Sequence, residues 1–362
     1  MAPPPVGGRD LRIDSLRGLL LVFMAIDHIA SDVQIATNHI FGYVSAAEGF
    51  VFISGFVAGL VYTRRRWTAG AEAAQDASWR RAAILYAYHL ALFLFVWNWT
   101  LGGHLVRGES PIAPSGSLAS MRMFFAGLLA INQPPLLDIL PMYCGFMVLL
   151  PTLLAAFDRG RRAQVLAISV GIWALSNAFL PQAPWSFGVV QTSSLSVTAW
   201  QLLFVGGAAF GHAWVSGKRL LPRPTPLLIG AAAAFCAVCY VVRHAFIAPP
   251  IPRGLLDWLT NKNNVAPVRL LDTAALFYLV AVVAGRFPRL VQWRPLAFLG
   301  RNALPVFSVH VAVAYVLGAF PAIFADSITG RWLGTLLMIG AMAATALAFN
   351  RRPARIVAAQ PA

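Results

Sequence analysis

The sequence RIDSLRGLLLVFMAIDHIA, residues 12–30, is apolar enough to enter a bilayer and yet carries several ionisable side chains. An α-helix turns by about 100° per residue, so Arg17 and His28 lie on one face, about 16 Å apart along the axis. Asp14 lies three residues before Arg17, within pairing distance on that face. Because charged groups inside a membrane span are costly, they normally face a bundle interior or a polar cavity. This helix is therefore predicted to form one wall of a buried site.

The whole chain has the composition of an integral membrane protein. Of its 362 residues, 59% are apolar and 11% are charged, and the mean hydropathy is +0.69. Soluble domains usually devote about a quarter of their residues to charge. The net charge of +15 comes from short basic clusters between apolar runs. Such clusters are a topology signal, so no nucleic acid is expected as a partner.

We expect an all-α polytopic membrane protein whose ten transmembrane helices enclose a central cavity. The spans are expected near residues 12–30, 45–63, 82–101, 136–157, 163–180, 199–216, 225–243, 269–287, 296–318 and 331–349. This layout puts 21 basic residues at one set of helix ends and 7 at the other, which places both termini in the cytoplasm. A single transmembrane domain is expected at 12–350, between a disordered cytoplasmic tail at 1–11 and a second tail at 351–362. The apolar run 118–131 is too short to cross and is expected to be a re-entrant or interfacial helix.

The second predicted span carries Glu48 at about the depth of His28. A carboxylate beside an imidazole can orient it, fix its tautomer and raise its basicity, so Glu48 is a candidate partner for a histidine base. Asp27 is the alternative, although it points about 100° away from His28 on an ideal helix. Simple pairing at helix ends is the competing interpretation of these groups. Gly55 and Gly59 have a small-xxx-small spacing that permits close helix contact.

Other polar residues open or follow later spans. Asp138 is explained equally well as an N-cap carboxylate and as a site residue. Trp200, Gln201 and His212 are more readily explained by packing or by satisfied polarity. The single pair Cys236 and Cys239 forms a C-x-x-C without a second ligand pair, so these thiols are interpreted as packing residues and no metal site is expected.

The loop Asn261–Asn264, followed by Arg269, groups polar donors where an anionic or sugar substrate could dock. His310 stands nine residues after Arg301, so the two would face opposite sides of one straight helix, and His310 has only a secondary claim to line the cavity. The candidates on the acceptor side or in the cavity are Asp14, Ser54, Asp138, Tyr143, Trp200, Gln201, Lys262, Asn263, Arg269, Arg301 and His310.

Several known reaction classes lack their motifs here. The chain has no G-x-S-x-G elbow, no H-E-x-x-H, no Walker loop and no Rossmann fingerprint. These absences argue against a serine hydrolase, a zinc protease, a nucleotide-driven pump and a dehydrogenase. A histidine base with an acidic partner and a deeper basic residue suits transfer of an acyl group from a phosphorylated carrier to a hydroxyl group.

The spacing Arg17-x10-His28 resembles the R-x10-H signature of the membrane-bound acyltransferase superfamily often called acyltransferase family 3. Seven longer phrases, in register from about residue 12 to residue 349, are similar to the OpgC family. The phrases are Asp14-Ser-Leu-Arg-Gly18, Ile26-Asp-His-Ile29, Ala46-Ala-Glu-Gly-Phe-Val-Phe-Ile-Ser-Gly55, Asp138-Ile-Leu-Pro-Met-Tyr143, Ala199-Trp-Gln-Leu-Leu-Phe204, Lys262-Asn-Asn264 with Pro267 and Arg269-Leu-Leu271, and Leu299-Gly-Arg-Asn-Ala-Leu-Pro-Val-Phe307. Members of that family attach succinyl groups to osmoregulated periplasmic glucans of Gram-negative bacteria.

The resemblance implies an O-acyltransferase of the bacterial inner membrane. Its implied partners are acyl-CoA on the cytoplasmic side, a periplasmic glucan on the other side and membrane lipid, with no tightly bound cofactor. It implies that Arg17 and His28 belong to the site, with His28 as the base, and that Asp27 and Glu48 match the flanking motif positions. The identity of the acyl group (succinyl, acetyl or another), the acceptor position and a homo-oligomeric state stay open.

We expect the phosphates of CoA to meet Arg17, Arg64, Arg65 and Arg66, because guanidinium groups suit phosphate. His28 would then take the proton of a sugar hydroxyl, by direct transfer or through an acyl-histidine. Two other classes compete with this hypothesis. A transporter or flippase could use the same buried groups to couple protons or an anion, and a non-catalytic partner of a glucan synthase would need neither Arg17 nor His28.

Overall fold

The structure is a computed structural model that describes residues 10–38, 41–107, 117–179, 186–187, 190–191 and 193–350. Its elements in chain order are α1 (Leu11–Asp27), a 3₁₀ helix (Asp32–Ala36), α2 (Ala46–Ala69), α3 (Ala71–Arg107), α4 (Ser117–Leu128), α5 (Ile139–Asp158), α6 (Arg162–Phe179), β1 (Ser186–Phe187), β2 (Val190–Gln191), α7 (Val197–Val215), α8 (Pro226–Arg243), α9 (Arg253–Thr260), α10 (Pro267–Arg286), a 3₁₀ helix (Pro288–Val291), α11 (Arg294–Arg301), α12 (Ala303–Gly318), α13 (Pro321–Phe324) and α14 (Ile328–Asn350). The two short strands pair antiparallel.

The described residues form two compact units, a division that the sequence did not predict. The central unit lies within Asn38–Pro288, and the terminal unit lies within Arg9–Thr37 and Arg289–Ala362. Residues 1–9 and 351–362, which make up nearly all of the two predicted tails, lie outside the described residues.

Among the residues that the structure describes, six helices are long and apolar enough to cross a membrane: α2, α3 over Ala71–Gly102, α5, α8, α10 and α14. The pair α11 and α12 raises the number to seven if it counts as one span. The chain is therefore a multi-pass, all-helical membrane protein. Helices α1, α6 and α7 occupy predicted span positions but are not among the six, so ten spans and a central cavity stay predictions. Helix α4 covers most of the short apolar run at 118–131.

Helix α1 begins and ends at side chains that satisfy its backbone. At its start, the Asp10 carboxylate accepts a hydrogen bond from the Arg12 backbone N–H at 2.9 Å, as an N-cap residue does. At its end, the Gln34 amide donates to the carbonyl of Asp27 at 3.1 Å. The helix therefore stops at Asp27, and His28 is its C-cap residue and not part of a helix that continues to residue 30.

The predicted span at 296–318 is not one straight helix. Asn302 separates α11 from α12, and the two helices meet at 88°. The expectation that Arg301 and His310 face opposite sides assumed a continuous helix, so its premise is wrong. A break frees backbone polar groups, and at membrane depth these groups are tolerated only where protein or water satisfies them.

In the central unit, glycines bring α2 and α7 into close contact. A Cβ atom placed on Gly55 or Gly59 of α2 would lie 2.3 or 2.2 Å from a backbone carbonyl oxygen of α7. On α7, Gly207 and Gly211 approach carbonyl oxygens of α2 in the same way, at 2.2 and 2.1 Å. The close contact predicted from the small-xxx-small spacing is confirmed, and its partner is α7.

Candidate functional site

Two groups of polar residues contain most of the predicted site residues, one in each unit. The histidine cluster, in the terminal unit, consists of Asp27, His28 and His310; the ion pair of Asp14 and Arg301 lies in the same unit, near the start of α1. The arginine cluster, in the central unit, consists of Glu48, Asp138, Tyr143, Trp200, Lys262, Asn263 and Arg269.

The centre of the histidine cluster is a direct hydrogen bond between two imidazoles. Nδ1 of His28 lies 3.1 Å from Nε2 of His310. The ring centroids are 5.4 Å apart and the ring planes are 21° from parallel, so the two rings meet edge to edge. His310 is fully buried, whereas His28 is half-buried. The edge of Phe307 packs on the His310 ring at 4.9 Å. One histidine is therefore held inside the unit and the other keeps an accessible surface.

Helices α1 and α11 pack closely against each other in the terminal unit. A Cβ atom on Gly18 or Gly300 would lie 1.8 or 1.9 Å from a backbone carbonyl oxygen of the other helix. Next to these glycines, the Ser15 hydroxyl donates to the Trp293 carbonyl at 3.1 Å and accepts from the Trp293 N–H at 3.0 Å. Only small residues at these positions allow α1 and α11 to approach so closely.

The two carboxylates predicted for the site in α1, Asp14 and Asp27, each have a partner within the terminal unit. Asp14 pairs with Arg301, Nε to Oδ2, at 3.3 Å, and the Arg301 side chain is 44% exposed. The Thr37 hydroxyl donates to Asp27 Oδ1 at 2.6 Å. Arg17, the predicted neighbour of Asp14, is half-buried in the next turn of α1.

The centre of the arginine cluster is a buried ion pair. The Arg269 guanidinium donates to Glu48 Oε1 at 2.7 Å, and the two side chains are 5% and 0% exposed. Glu48 Oε2 accepts from the Ser45 backbone N–H at 3.0 Å and from the Ser45 hydroxyl. Ser45 and Glu48 thus form a capping box at the start of α2. Arg269 Nε donates to the Thr260 carbonyl at 3.0 Å.

Two tryptophans hold the loop at residues 261–266, which precedes Arg269. Trp200 Nε1 donates to the Asn263 carbonyl at 3.0 Å, and Trp173 Nε1 donates to the Val265 carbonyl at 2.8 Å. Val265 is buried with a φ of 45°, which is unusual for a β-branched residue. The loop keeps this conformation because its carbonyls are bound from several sides.

The remaining members of the arginine cluster lie around this core. The Tyr143 hydroxyl donates to a backbone carbonyl of α2 at 3.1 Å. Lys262 is exposed, and its charge acts on both Glu48 and Asp138. Asp138 occupies the N-cap position of α5, but its side chain makes no capping hydrogen bond there; its Oδ2 accepts from the Ser193 hydroxyl at 3.4 Å.

Comparison with known families identifies the chain. The model of the family described as OpgC protein matches residues 9–354, nearly the whole chain. The chain belongs to the OpgC family. Membership indicates a membrane transferase that acts on glucan. No curated protein and no solved structure matches the chain.

In this OpgC-family chain, Gln201 has a well-defined packing role. Its amide donates to the Ser169 carbonyl at 2.8 Å and accepts from the Ser169 hydroxyl at 2.6 Å, which joins α7 to α6. Ser54 is half-buried in α2. In the described part of the chain, neither side chain makes a hydrogen bond to a side chain of the two clusters.

Three of the four predicted donor-binding arginines, Arg64, Arg65 and Arg66, lie in the last turns of α2, whereas Arg17 lies in α1 of the terminal unit. Arg65 Nε donates to the Ala73 carbonyl at 3.0 Å, and Arg66 Nε donates to Asp158 at 2.6 Å. The same Asp158 binds Nε2 of His212 at 3.0 Å, and Arg162 donates to Nδ1 of His212 at 2.7 Å. His212 is thus a satisfied polar residue, in line with the interpretation that sequence reasoning preferred.

The fully buried Asp272 is the main polar residue that sequence reasoning missed. Its Oδ2 accepts from the Tyr43 backbone N–H at 2.8 Å. The available signal was a carboxylate inside the apolar sequence of α10, three residues after Arg269. Among the residues that the structure describes, no group of three or more His, Cys, Asp or Glu side chains could hold a metal ion.

Proposed function

We propose that this OpgC-family chain is an inner-membrane O-acyltransferase that moves a succinyl group from cytoplasmic succinyl-CoA to hydroxyl groups of a periplasmic glucan. The observation that carries the proposal is the hydrogen-bonded pair of His28 and His310. A half-buried imidazole, held by a fully buried one, is a suitable proton acceptor for a hydroxyl group that approaches from outside. The family match supports the transferase class.

The proposed topology has ten spans with both termini in the cytoplasm. It is supported by the division of the 28 basic residues into 21 and 7 and by the helices at every predicted span position. The candidates for binding the donor phosphates are Arg17 in the terminal unit and Arg64, Arg65 and Arg66 in the central unit. Of these, Arg66 is already paired with the carboxylate of Asp158, so a donor phosphate would have to displace that carboxylate.

In the proposed reaction, the oxygen of a sugar hydroxyl attacks the carbonyl carbon of the thioester. His28 accepts the hydroxyl proton, the carbon–sulfur bond breaks, and the protonated imidazole returns the proton to the leaving CoA thiolate. General-base assistance of this kind is typically worth about 10²–10⁴-fold in rate. An acyl-histidine route has the same overall balance, and label on acid-quenched protein in the absence of glucan would identify it.

The arginine cluster is proposed to bind the glucan. Lys262 is exposed and Asn263 is half-buried, so both can offer donors to sugar hydroxyls. The buried pair of Glu48 and Arg269 would hold the loop that carries them, since Arg269 binds the carbonyl of Thr260 at the start of that loop.

The test uses purified protein in lipid nanodiscs, succinyl-CoA labelled in the succinyl group, and a periplasmic glucan. We expect ester-linked label on the glucan that mild base removes, and none with the His28→Ala variant. An excess of unlabelled acetyl-CoA serves as the donor control. Label on the glucan that persists with His28→Ala would overturn the proposed base. Movement of glucan or anion across liposomes without ester formation would replace the proposal by the transporter alternative.

A further inference from the structure

We propose that His310 is a positioning residue, which holds His28 in the tautomer with its proton on Nδ1 and so leaves Nε2 as the proton acceptor. The inference rests on the proposed function insofar as His28 is the base. The tautomer itself can be measured without any turnover.

The hydrogen bond between the two rings contains one proton, which is attached either to Nδ1 of His28 or to Nε2 of His310. The distance of 3.1 Å between His28 Nδ1 and His310 Nε2 is that of a hydrogen bond, so one of these nitrogens carries a hydrogen and the other a lone pair. A neutral imidazole has one N–H. If His310 donates, its own Nδ1 carries a lone pair. If His28 donates, its Nε2 does.

The surroundings of His310 favour the second arrangement. His310 is fully buried, and the Phe307 carbonyl, one turn earlier in α12, interacts with the His310 ring. Nε2 of His310 is occupied by His28, and Nδ1 has no hydrogen-bond partner within the described part of the chain. Nδ1 is therefore the ring nitrogen that is left to face this carbonyl. A carbonyl oxygen only accepts, and a lone pair on Nδ1 would repel it. His310 therefore carries its proton on Nδ1, and its Nε2 accepts from His28.

This assignment gives each ring a different task. His28 Nδ1–H is used by His310, so the lone pair of His28 lies on Nε2, on the half-buried ring. The hydrogen bond between the ring edges restricts rotation of the His28 side chain. When Nε2 takes a proton, the bond to His310 becomes charge-assisted and therefore stronger. His310 thus orients the base before reaction and stabilises its protonated form afterwards.

The experiment compares the wild type with three variants, each with ¹⁵N-labelled histidine. His310→Leu removes the acceptor, His310→Gln supplies an amide oxygen as a substitute, and His89→Leu is the matched control. His89 is also fully buried, and it lies in the central unit, where its Nε2 contacts the Gly127 carbonyl at 3.2 Å. Nitrogen chemical shifts identify the protonated nitrogen of His28, and initial rates separate kcat from KM for acyl-CoA.

We expect the wild type to show His28 protonated on Nδ1. In His310→Leu, a mixture of tautomers and a fall in kcat of about 10–100-fold are expected, because loss of an orienting partner costs this much at comparable sites. KM should change little. His310→Gln should recover both the tautomer and a large part of kcat, and His89→Leu should change neither.

The inference is overturned if the wild type carries the His28 proton on Nε2, or if His310→Leu keeps both the tautomer and the wild-type kcat. If His310→Leu does not fold, which size-exclusion elution detects, the wild-type spectrum and His310→Gln still decide. Should His28→Ala retain turnover, the proposed base fails, while the spectra still report separately on what His310 does.

Discussion

The histidine cluster and the arginine cluster differ in what their central groups have left to offer. Glu48 is fully buried, and its two oxygens accept from Arg269 and from Ser45. Arg269 in turn also binds a backbone carbonyl. In the histidine cluster, two imidazole rings share one hydrogen bond, and His28 is only half-buried.

The contrast separates an anchor from a reactive group. A buried pair whose charges compensate each other gains nothing by moving a proton, and it loses much if one partner is removed. An imidazole changes its charge near neutral pH and has a second ring nitrogen for chemistry. We therefore expect variants of the arginine cluster to affect mainly the stability of the protein. Variants of the histidine cluster should affect mainly its turnover.

The largest stability effect is expected from Glu48→Gln, which leaves the Arg269 charge buried without compensation. Removal of one partner from such a pair typically costs about 3–5 kcal/mol of the free energy of unfolding. Thermal unfolding in detergent measures the loss. The double variant Glu48→Gln with Arg269→Met should recover a large part of it. Unchanged stability of the single variant would show that the pair is not an anchor.

His28→Ala should lower turnover by about 10²–10⁴-fold, with a smaller loss of stability than Glu48→Gln causes. Removal of the His28 ring leaves one buried acceptor on His310 without its hydrogen bond, which costs about 1–3 kcal/mol, and no buried charge. Turnover and unfolding are measured on one preparation. A loss of stability as large as that of Glu48→Gln would remove the contrast between the clusters.

Gly59→Ala is expected to destabilise the central unit by about 1–3 kcal/mol, because its new methyl group meets a carbonyl oxygen of α7. Gly206→Ala is the matched control, since the nearest atom to its Cβ is a ring carbon 4.0 Å away. Thermal unfolding compares the two variants. Equal effects would mean that helix propensity, and not the close approach of α2 and α7, determines the result.

The smallest effect is expected from Asp32→Asn, at an ion pair in the terminal unit. Arg331 Nε lies 2.8 Å from Asp32 Oδ1, but the two side chains are 26% and 40% exposed. Exposed pairs contribute about 0–1 kcal/mol, and salt screens them. Unfolding at low and high salt is the measurement. A loss comparable to that of Glu48→Gln would contradict the view that burial makes the difference.

Local features of the chain could be predicted well. Apolar runs predicted the positions of the helices, and the spacing of Gly55 and Gly59 predicted a close helix contact on α2. Both predictions depend only on residues that lie near one another in the sequence. The bend after Arg301 was not predicted, although a signal was present: Pro305 has no N–H for the Arg301 carbonyl, so it fits the first turn of a new helix better than the middle of a continuous one. Nor was the division into two units, because helices of the same apolar kind build both.

By itself, the sequence determined a multi-pass helical membrane protein of the OpgC family and the candidate status of His28, Glu48 and Arg269. Only the tertiary structure decided who meets whom. His28 meets His310 across 282 residues, and Glu48 meets Arg269 across 221. At such separations nothing in the local pattern selects one partner among several polar residues in apolar helices. The choice follows from how the helices pack, here from glycine contacts and from a helix that turns through 88° before it reaches His310.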